Sequence, residues 1–331
     1  MREVAAFGRP FVVYRPVTPV GEMSSLMGTT LGACHRHGLE DSRHPASAQM
    51  RPRRVGAAAY AQQMVIPTRG VLYPARLPQF HRLPPPAEAA DLVVWCWIPE
   101  WDIEPGRSSR QELVSFPALN LVVEGGEGVG GSGVVLAGAT TRVSHRDLSG
   151  RGWGVGALLR PAAVAALTDT PGALLDRVEA VGAPELQSAV ATAMATGEGH
   201  RERAAGALCD WLRERVGPVS APARHANAMS ELLMADPSVR TPEQAAARLA
   251  VSVRTLQRMA HRYVGLSPAA MIRRRRLQEA AERIRSDPAT DLATVAAELG
   301  YADQAHLSND FRTALGFSPS AYRAGAGPGR A

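Results

Sequence analysis

The sequence predicts a multidomain α+β protein. A β-rich barrel or sandwich with helices after it precedes an all-α C-terminal domain that holds two helix-turn-helix units. Three observations predict this. From about residue 68 to 160 the chain runs as short β-branched and aromatic segments punctuated by Gly, Pro and Ser, the pattern of an all-β core. After Arg160-Pro161 the texture becomes Ala- and Leu-rich with helical period. Near the C-terminus one helix, tight turn, helix pattern occurs twice, 51 residues apart.

Residues 1–63 show no sustained periodicity and are rich in Gly, Pro, Ser, Arg and His, so they read as disordered or as a non-native extension. Domain-like sequence begins after Met64, which makes Met64 an alternative start. Residues 64–216 then form the β-rich half with its C-terminal helices. Its strands are read at 91–98 ("DLVVWCWI"), 111–117, 120–125, 133–138, 141–145 and 153–159. "EGGEGVGGSG" (124–133) lacks the Lys-Ser/Thr ending of a phosphate loop and reads as a hairpin turn. "PELQSAVATAMA" and "RERAAGALCDWLRERV" are helices that either mediate dimerisation or pack on the sheet. Residues 217–223 ("GPVSAPA") read as a linker, 224–324 as the helical domain and 325–331 as a flexible tail.

All 37 basic residues are Arg and Lys is absent. With abundant Ala, Gly and Pro this points to a compositional bias, so a single Arg carries little functional weight. The distribution of charge carries more. Residues 64–223 hold 14 Arg against 17 acids, whereas 224–331 hold 15 Arg against 10 acids. A basic module joined to a near-neutral one suits a polyanion-binding domain attached to something else. No apolar run is long enough to span a bilayer. The N-terminus lacks a signal pattern, which predicts a cytoplasmic protein. Three widely separated cysteines, Cys34, Cys96 and Cys209, do not form a disulfide framework.

In the repeat, "VRTLQRMAHRYVGLSPAAM" (253–271) aligns with "QAHLSNDFRTALGFSPSAY" (304–322). The first short helix begins with a capping box, Thr241, Pro242 and Gln244. Ser252 and Asp303 cap the second helices, and Gly265 and Gly316 stop them. In the first unit Leu256, Ala260 and Tyr263 face inward, leaving Arg254, Gln257, Arg258 and His261 as one outward stripe. The matching stripe of the second unit is Ala305, Ser308, Asn309 and Arg312, with Gln304 and His306 at its N-terminal edge. Arg reads guanine, Gln and Asn read adenine, and small residues approach a thymine methyl. One such face suits a solvated surface helix. Two repeat-related faces in a basic domain suit base readout from double-stranded DNA. The helix between the units, 268–286, is capped by Ser267. Its roughly 27 Å length approaches the ~34 Å spacing of successive major grooves on one DNA face. Arg273 and Arg274 are candidate phosphate contacts, with the cap hydroxyls Thr241, Ser252 and Ser318. Four consecutive Arg (273–276) on a helix point in four directions, so at least one faces the core and pairs with an acid.

At this point residues 224–324 closely resemble the DNA-binding domain of the AraC/XylS family of bacterial transcriptional regulators, most specifically in "GYADQAHLSNDFRTALGFSPSAYR". The resemblance implies a promoter-binding regulator, usually an activator that contacts RNA polymerase. It also implies a cupin-like N-terminal half that takes a small-molecule effector of unknown identity and forms a homodimer. The family's base-reading positions correspond to Arg254, Gln257, Arg258, Ala305, His306 and Asn309. Position 309 is often long and basic in the family and position 305 often polar. The shorter residues here predict that the first unit supplies most of the specificity.

Other readings carry less. Trp95, Trp97 and Trp101 line a pocket or serve as ordinary core and rim aromatics. His81 and His145 stand apart, so no metal is expected in the β-rich half, and no cofactor is expected. "ACHRHG" (33–38) superficially resembles the Pro-Cys-His-Arg segment of alkylguanine-DNA alkyltransferases, with Ala33 where that family has Pro. It would make Cys34 an alkyl acceptor or, with His35, His37 and His44, a zinc ligand. The flanking chain shows no folded pattern, so the protein is read as not an enzyme. A ligand-independent architectural DNA binder is the remaining alternative.

Overall fold

The computed structural model describes residues 71–72, 79–126 and 133–325. The readings of 1–63, of a start at Met64, of the Cys34 segment, of the 127–132 turn and of the 326–331 tail lie outside the described residues.

The β-rich half is an antiparallel six-stranded sheet with a two-stranded partner. Its strands are β1 (Gln79–Leu83), β2 (Val93–Asp102), β3 (Ser109–Leu113), β4 (Asn120–Gly125), β5 (Gly133–Ala137), β6 (Ser144–Leu148), β7 (Arg151–Leu159) and β8 (Val178–Val181). The large sheet runs β1-β2-β7-β4-β5-β8, and β3 pairs with β6. The unbroken apolar run of β2 arises because both faces of its sheet are covered. Cys96 and Ile98 point into a core with Leu121, Val155, Leu186 and Leu208. Trp95 points the other way, into a core with Leu256, Tyr263 and Met271. A register shift between Val93 and Trp95 adjusts the alternation. Trp97 lies across Gly156, its cross-strand partner. A Cβ there would come 2.1 Å from the indole, so only glycine fits.

The three tryptophans are core and rim aromatics. Trp95 is 2% exposed and meets Phe116 edge-on at 4.8 Å. Trp97 Nε1 donates to Asn120 Oδ1, and Trp101 Nε1 donates to the Ser149 carbonyl.

Helices α1 (Pro161–Val164), α2 (Pro184–Ala195) and α3 (His200–Val216) follow. Leu186 and Val190 of α2, with Leu208 and Leu212 of α3, bury against the sheet, so packing accounts for their apolar faces. The C-terminal half is helical: α4 (Ala221–Ala235), α5 (Pro242–Arg248), α6 (Val253–Tyr263), α7 (Pro268–Ser286), α8 (Leu292–Glu298), α9 (Gln304–Leu315) and α10 (Pro319–Arg323). Ser220 already caps α4, so part of the expected 217–223 linker is the first turn of a helix. Among the described residues no helix is long and apolar enough to cross a membrane.

The β-rich half has a core of its own, but each helix-turn-helix unit shares its core with residues of that half. Val94, Trp95, Phe116 and Leu158 of the β-rich half join the first helix-turn-helix unit in one cluster. Leu72, Val114 and Val143 join Leu307, Phe311, Leu315 and Tyr322 of the second in another. Polar contacts reinforce this: Gln278 Nε2 donates to the Val114 carbonyl, Tyr322 Oη to the Leu72 carbonyl and Val143 N to the Ala314 carbonyl. At Gly265, with φ +82, a Cβ would lie 2.6 Å from Gly172 N. The end of α6 therefore rests directly on a turn of the β-rich half.

Candidate nucleic-acid interface

Each helix-turn-helix unit is built by local signals that the sequence states. Thr241 Oγ1 accepts from Gln244 N while the Gln244 side chain accepts from Thr241 N, completing the capping box. Asp291 caps α8, Ser252 caps α6 and Asp303 caps α9. The turns inside the units correspond. Val251 N donates to the Ala246 carbonyl in the first and Tyr301 N to the Ala296 carbonyl in the second. Just before each of these residues the chain takes a positive φ, at Ala250 (φ 52) and Gly300 (φ 75). The second turn is one residue longer before its cap. An L side chain in this region costs about 1–2 kcal/mol, partly offset by the chain entropy that glycine gives up on folding. Ala250→Gly is thus expected to raise the unfolding free energy by about 0.5–1 kcal/mol. Urea denaturation of the full chain checks this, and a lower midpoint with unchanged slope would count against it.

These scaffolds fix what each second helix presents. In α6, Leu256, Ala260 and Tyr263 are buried, and Arg254, Gln257, Arg258 and His261 are all exposed. In α9, Leu307, Phe311, Ala314 and Leu315 are buried; Gln304, Ala305, His306, Asn309 and Arg312 are exposed, and Ser308 is half-buried. His306 also stands edge-on to Tyr301, 5.2 Å between ring centres. The structure therefore gathers the two expected stripes on two helix surfaces.

The arginines divide cleanly. Arg275 is 1% exposed and donates to the carbonyls of Leu233, Asp236 and Val239, with Glu279 3.5 Å from its Nε. It is the inward, acid-paired member expected of the run 273–276. Arg276 lies over the Tyr301 ring at 3.8 Å. The Tyr301 hydroxyl donates to Asp310, and burial pushes that phenol well above its usual range. Arg273 pairs with Asp310 of α9, Arg248 with Asp236 and Arg283 with Glu298. Arg240 donates to the Glu298 carbonyl, Arg285 to that of Val71 and Arg323 to that of Thr290. Among the described residues, Arg254, Arg258 and Arg312 take part in no such pairing, and all three lie on the two stripes.

The placement of the phosphate candidates differs from expectation at one residue. Arg274 is 4% exposed, and its guanidinium donates to the Ser115 carbonyl, Thr140 Oγ1 and the Arg142 carbonyl. Its charge serves the contact with the β-rich half and is not presented to a phosphate, because that face of α7 is covered. Arg273 remains half-exposed beside its acid. Thr241, Ser252 and Ser318 each accept a backbone N–H at a helix start.

An open groove of about 520 Å³ lies beside α6, between it and the start of α4. His225, Thr255, Arg258, Met259 and Arg262 line it. Sequence reasoning passed over His225 and Arg262. Arg262 follows the stripe by one helical step, with its guanidinium 5.6 Å from the Tyr263 ring, and His225 comes from a different helix.

Comparison with known proteins follows this division. Residues 245–325 match a family of helix-turn-helix domains, and residues 81–179 match a domain of unknown function (DUF6597). The chain is 36% identical over 83 residues to the HTH-type transcriptional activator RhaS of Escherichia fergusonii, 25% of this chain and 30% of that one. It is 35% identical over 125 residues to a protein described as an AraC-like transcription regulator of Streptomyces lividans, 38% of this chain and 39% of that one. The chain thus spans well under half the length of either relative. Among solved structures, unsaturated fatty acid bound ToxT of Vibrio cholerae superposes with a TM-score of 0.39 at 12% identity, covering 71% of this chain and 97% of that one. With a β-rich half before it and two capped helix-turn-helix units within it, the C-terminal part of this chain is an AraC-type helix-turn-helix domain.

Proposed function

We propose that the protein is a sequence-specific DNA-binding regulator of transcription that lays α6 and α9 in successive major grooves of one DNA face. One observation carries the reading: in a helical domain whose arginines are otherwise tied to acids, carbonyls or rings, those on the two stripes have no such partner among the described residues. A solvated surface would not sort them so. Arg254, Gln257, Arg258, His261, Gln304, Ala305, His306, Ser308, Asn309 and Arg312 then meet base edges and the groove walls. Thr241, Ser252, Ser318 and Arg273 approach phosphates, and His225 and Arg262 extend that set along the groove beside α6. The 19 residues of α7 span about 28 Å, which suits adjacent turns of one duplex face. The domains act as 64–216 for sensing and dimerisation and 224–324 for DNA, in the cytoplasm at the nucleoid. Likeness to the RhaS activator supports activation; the proposal adds contact with RNA polymerase, as the AraC/XylS resemblance implies, and a small-molecule effector acting through the β-rich half.

The test uses the full chain, because the helical domain shares its cores with the β-rich half. Its binding to DNA from its own upstream region is compared with scrambled DNA across a salt series. Preferential binding whose log affinity falls with log salt, by about 0.9 per phosphate neutralised, is the expected result. Equal binding to both would favour an architectural role. Absence of binding at about 50 mM salt by the folded chain would overturn the reading.

A further inference from the structure

Cys96 lies on β2 and Cys209 on α3, the helix that covers one face of that sheet. The fold brings their sulfurs to 3.8 Å across 113 positions of chain, and both side chains are buried and free. Their surroundings are aliphatic: Ile98, Ala157, Ala205, Leu208 and Leu212 belong to the same cluster. Each thiol therefore has the other as its polar neighbour. Neither belongs to the helix-turn-helix domain, and three scattered cysteines in the sequence gave no sign of the pairing.

We propose that Cys96 and Cys209 are a redox-convertible pair, which a hydroperoxide oxidises to a disulfide that ties β2 to α3. The geometry needs little change. A disulfide bond is about 2.05 Å long, so the sulfurs, 3.8 Å apart, have less than about 2 Å to close. The two thiols are also unequal. The hydrogen bond from Cys96 holds the Cys209 thiol below its usual range, whereas that same contact and burial push Cys96 well up. The thiolate, which is the nucleophile, forms at Cys209.

The chemistry balances with hydrogen peroxide as the two-electron oxidant. Cys209 Sγ attacks one peroxide oxygen, the O–O bond breaks, and the departing hydroxide takes a proton to leave as water. Cys209 is then a sulfenic acid. Cys96 Sγ attacks Cys209 Sγ; the S–S bond forms, the S–O bond breaks, and the second hydroxide leaves as water with the Cys96 proton. Two thiols and one peroxide become one disulfide and two waters. Only a small oxidant suits so covered a pair.

The consequence lies in where α3 leads. Cys209 stands two turns before the end of α3 at Val216, and α4 begins at Ala221. Met229 and Leu233 of α4 share a core with Leu256 and Ala260 of α6. Oxidation would fix to the sheet the helix that enters the C-terminal domain. Closing so long a loop also constrains the unfolded chain.

The experiment uses the full chain carrying Cys34→Ser, which leaves only the pair. The folded protein is treated with hydrogen peroxide, denatured, alkylated and weighed intact. The expected product takes up no alkyl group, is about 2 Da lighter than the reduced chain, and regains both alkylation sites after a thiol reductant. Proteolysis then yields a peptide joining the segments of Cys96 and Cys209, and the oxidised chain melts roughly 5 °C or more above the reduced one. Adding Cys96→Ser or Cys209→Ser abolishes the cross-link without needing to alter the fold for the first measurement. Two alkylated cysteines after peroxide, sulfinic acids without a cross-link, or cross-linking equally fast in the urea-unfolded chain would each overturn the proposal.

Discussion

Replacing Arg275 by alanine is expected to lower the unfolding free energy by about 3–5 kcal/mol. Arg275 is 1% exposed, at the middle of α7. Its guanidinium reaches the carbonyls of Leu233, Asp236 and Val239, the last at 2.6 Å. These close the end of α4 and the turn that leads into α5. Terminal helix carbonyls have no partner within their own helix, so here a buried Arg from another helix supplies their donors. Alanine would remove the donors and leave the Leu233 and Val239 carbonyls and the Glu279 carboxylate without their cation, while the Asp236 carbonyl keeps the Val239 N–H. The energy lost is mostly the cost of those unsatisfied groups, not the worth of the pair itself. Urea unfolding of the full chain measures it through a shifted midpoint. A loss below about 1 kcal/mol would mean that water enters and satisfies the carbonyls. Arg275→Met, which restores most of the volume, separates the terms: if it recovers little, hydrogen bonding dominates.

Arg275 also shows where sequence reading stops. The helical phase required that one arginine of the run 273–276 face inward and meet an acid, and Arg275 with Glu279 one turn on meets that requirement. It gave no means to see that Arg274 would be claimed by Ser115, Thr140 and Arg142, far away in the chain. Local chemistry was readable throughout. Caps at Thr241, Ser252 and Asp303, stops at Gly265 and Gly316, and the inward faces of α6 and α9 all depend on residues within a turn or two. Strands with uniform apolar character, such as β2 and β4, were readable too, because burial on both faces leaves few polar positions. The edge strands β1 ("QFHRL") and β8 ("VEAV") were passed over. An edge strand is held by one neighbour and needs little apolar pattern of its own. The strand read at 141–145 lies at Ser144–Leu148. Thr141 is instead held in a turn by Asp176, through both its N–H and its hydroxyl. The shared cores and the Cys96–Cys209 contact are products of tertiary packing, which periodicity cannot report.

The second large effect is expected at the proposed DNA surface, where Arg258→Ala should weaken operator binding roughly 5- to 150-fold, from about 1–3 kcal/mol for one bidentate base contact. Arg258 is exposed on α6, in line with Arg254 and His261, and also borders the groove that contains His225 and Arg262. Its guanidinium forms no ion pair among the described residues, so binding DNA breaks no internal contact. Its fork matches the two acceptors of a guanine edge. Asn309, at the corresponding place on α9, is shorter and uncharged. Asn309→Ala should therefore cost less on the same DNA, which would make the first unit the main source of specificity. The two variants are compared by titration at one salt concentration, each with matched and scrambled duplexes. Arg258→Ala should lose discrimination between them, since a base contact carries sequence information that a phosphate contact lacks. A uniform loss on both duplexes with a shallower salt slope would reassign Arg258 to the backbone. A larger loss for Asn309→Ala would transfer the main readout to the second unit. Both surfaces are exposed and neither side chain is part of a core, so unfolding does not confuse the result.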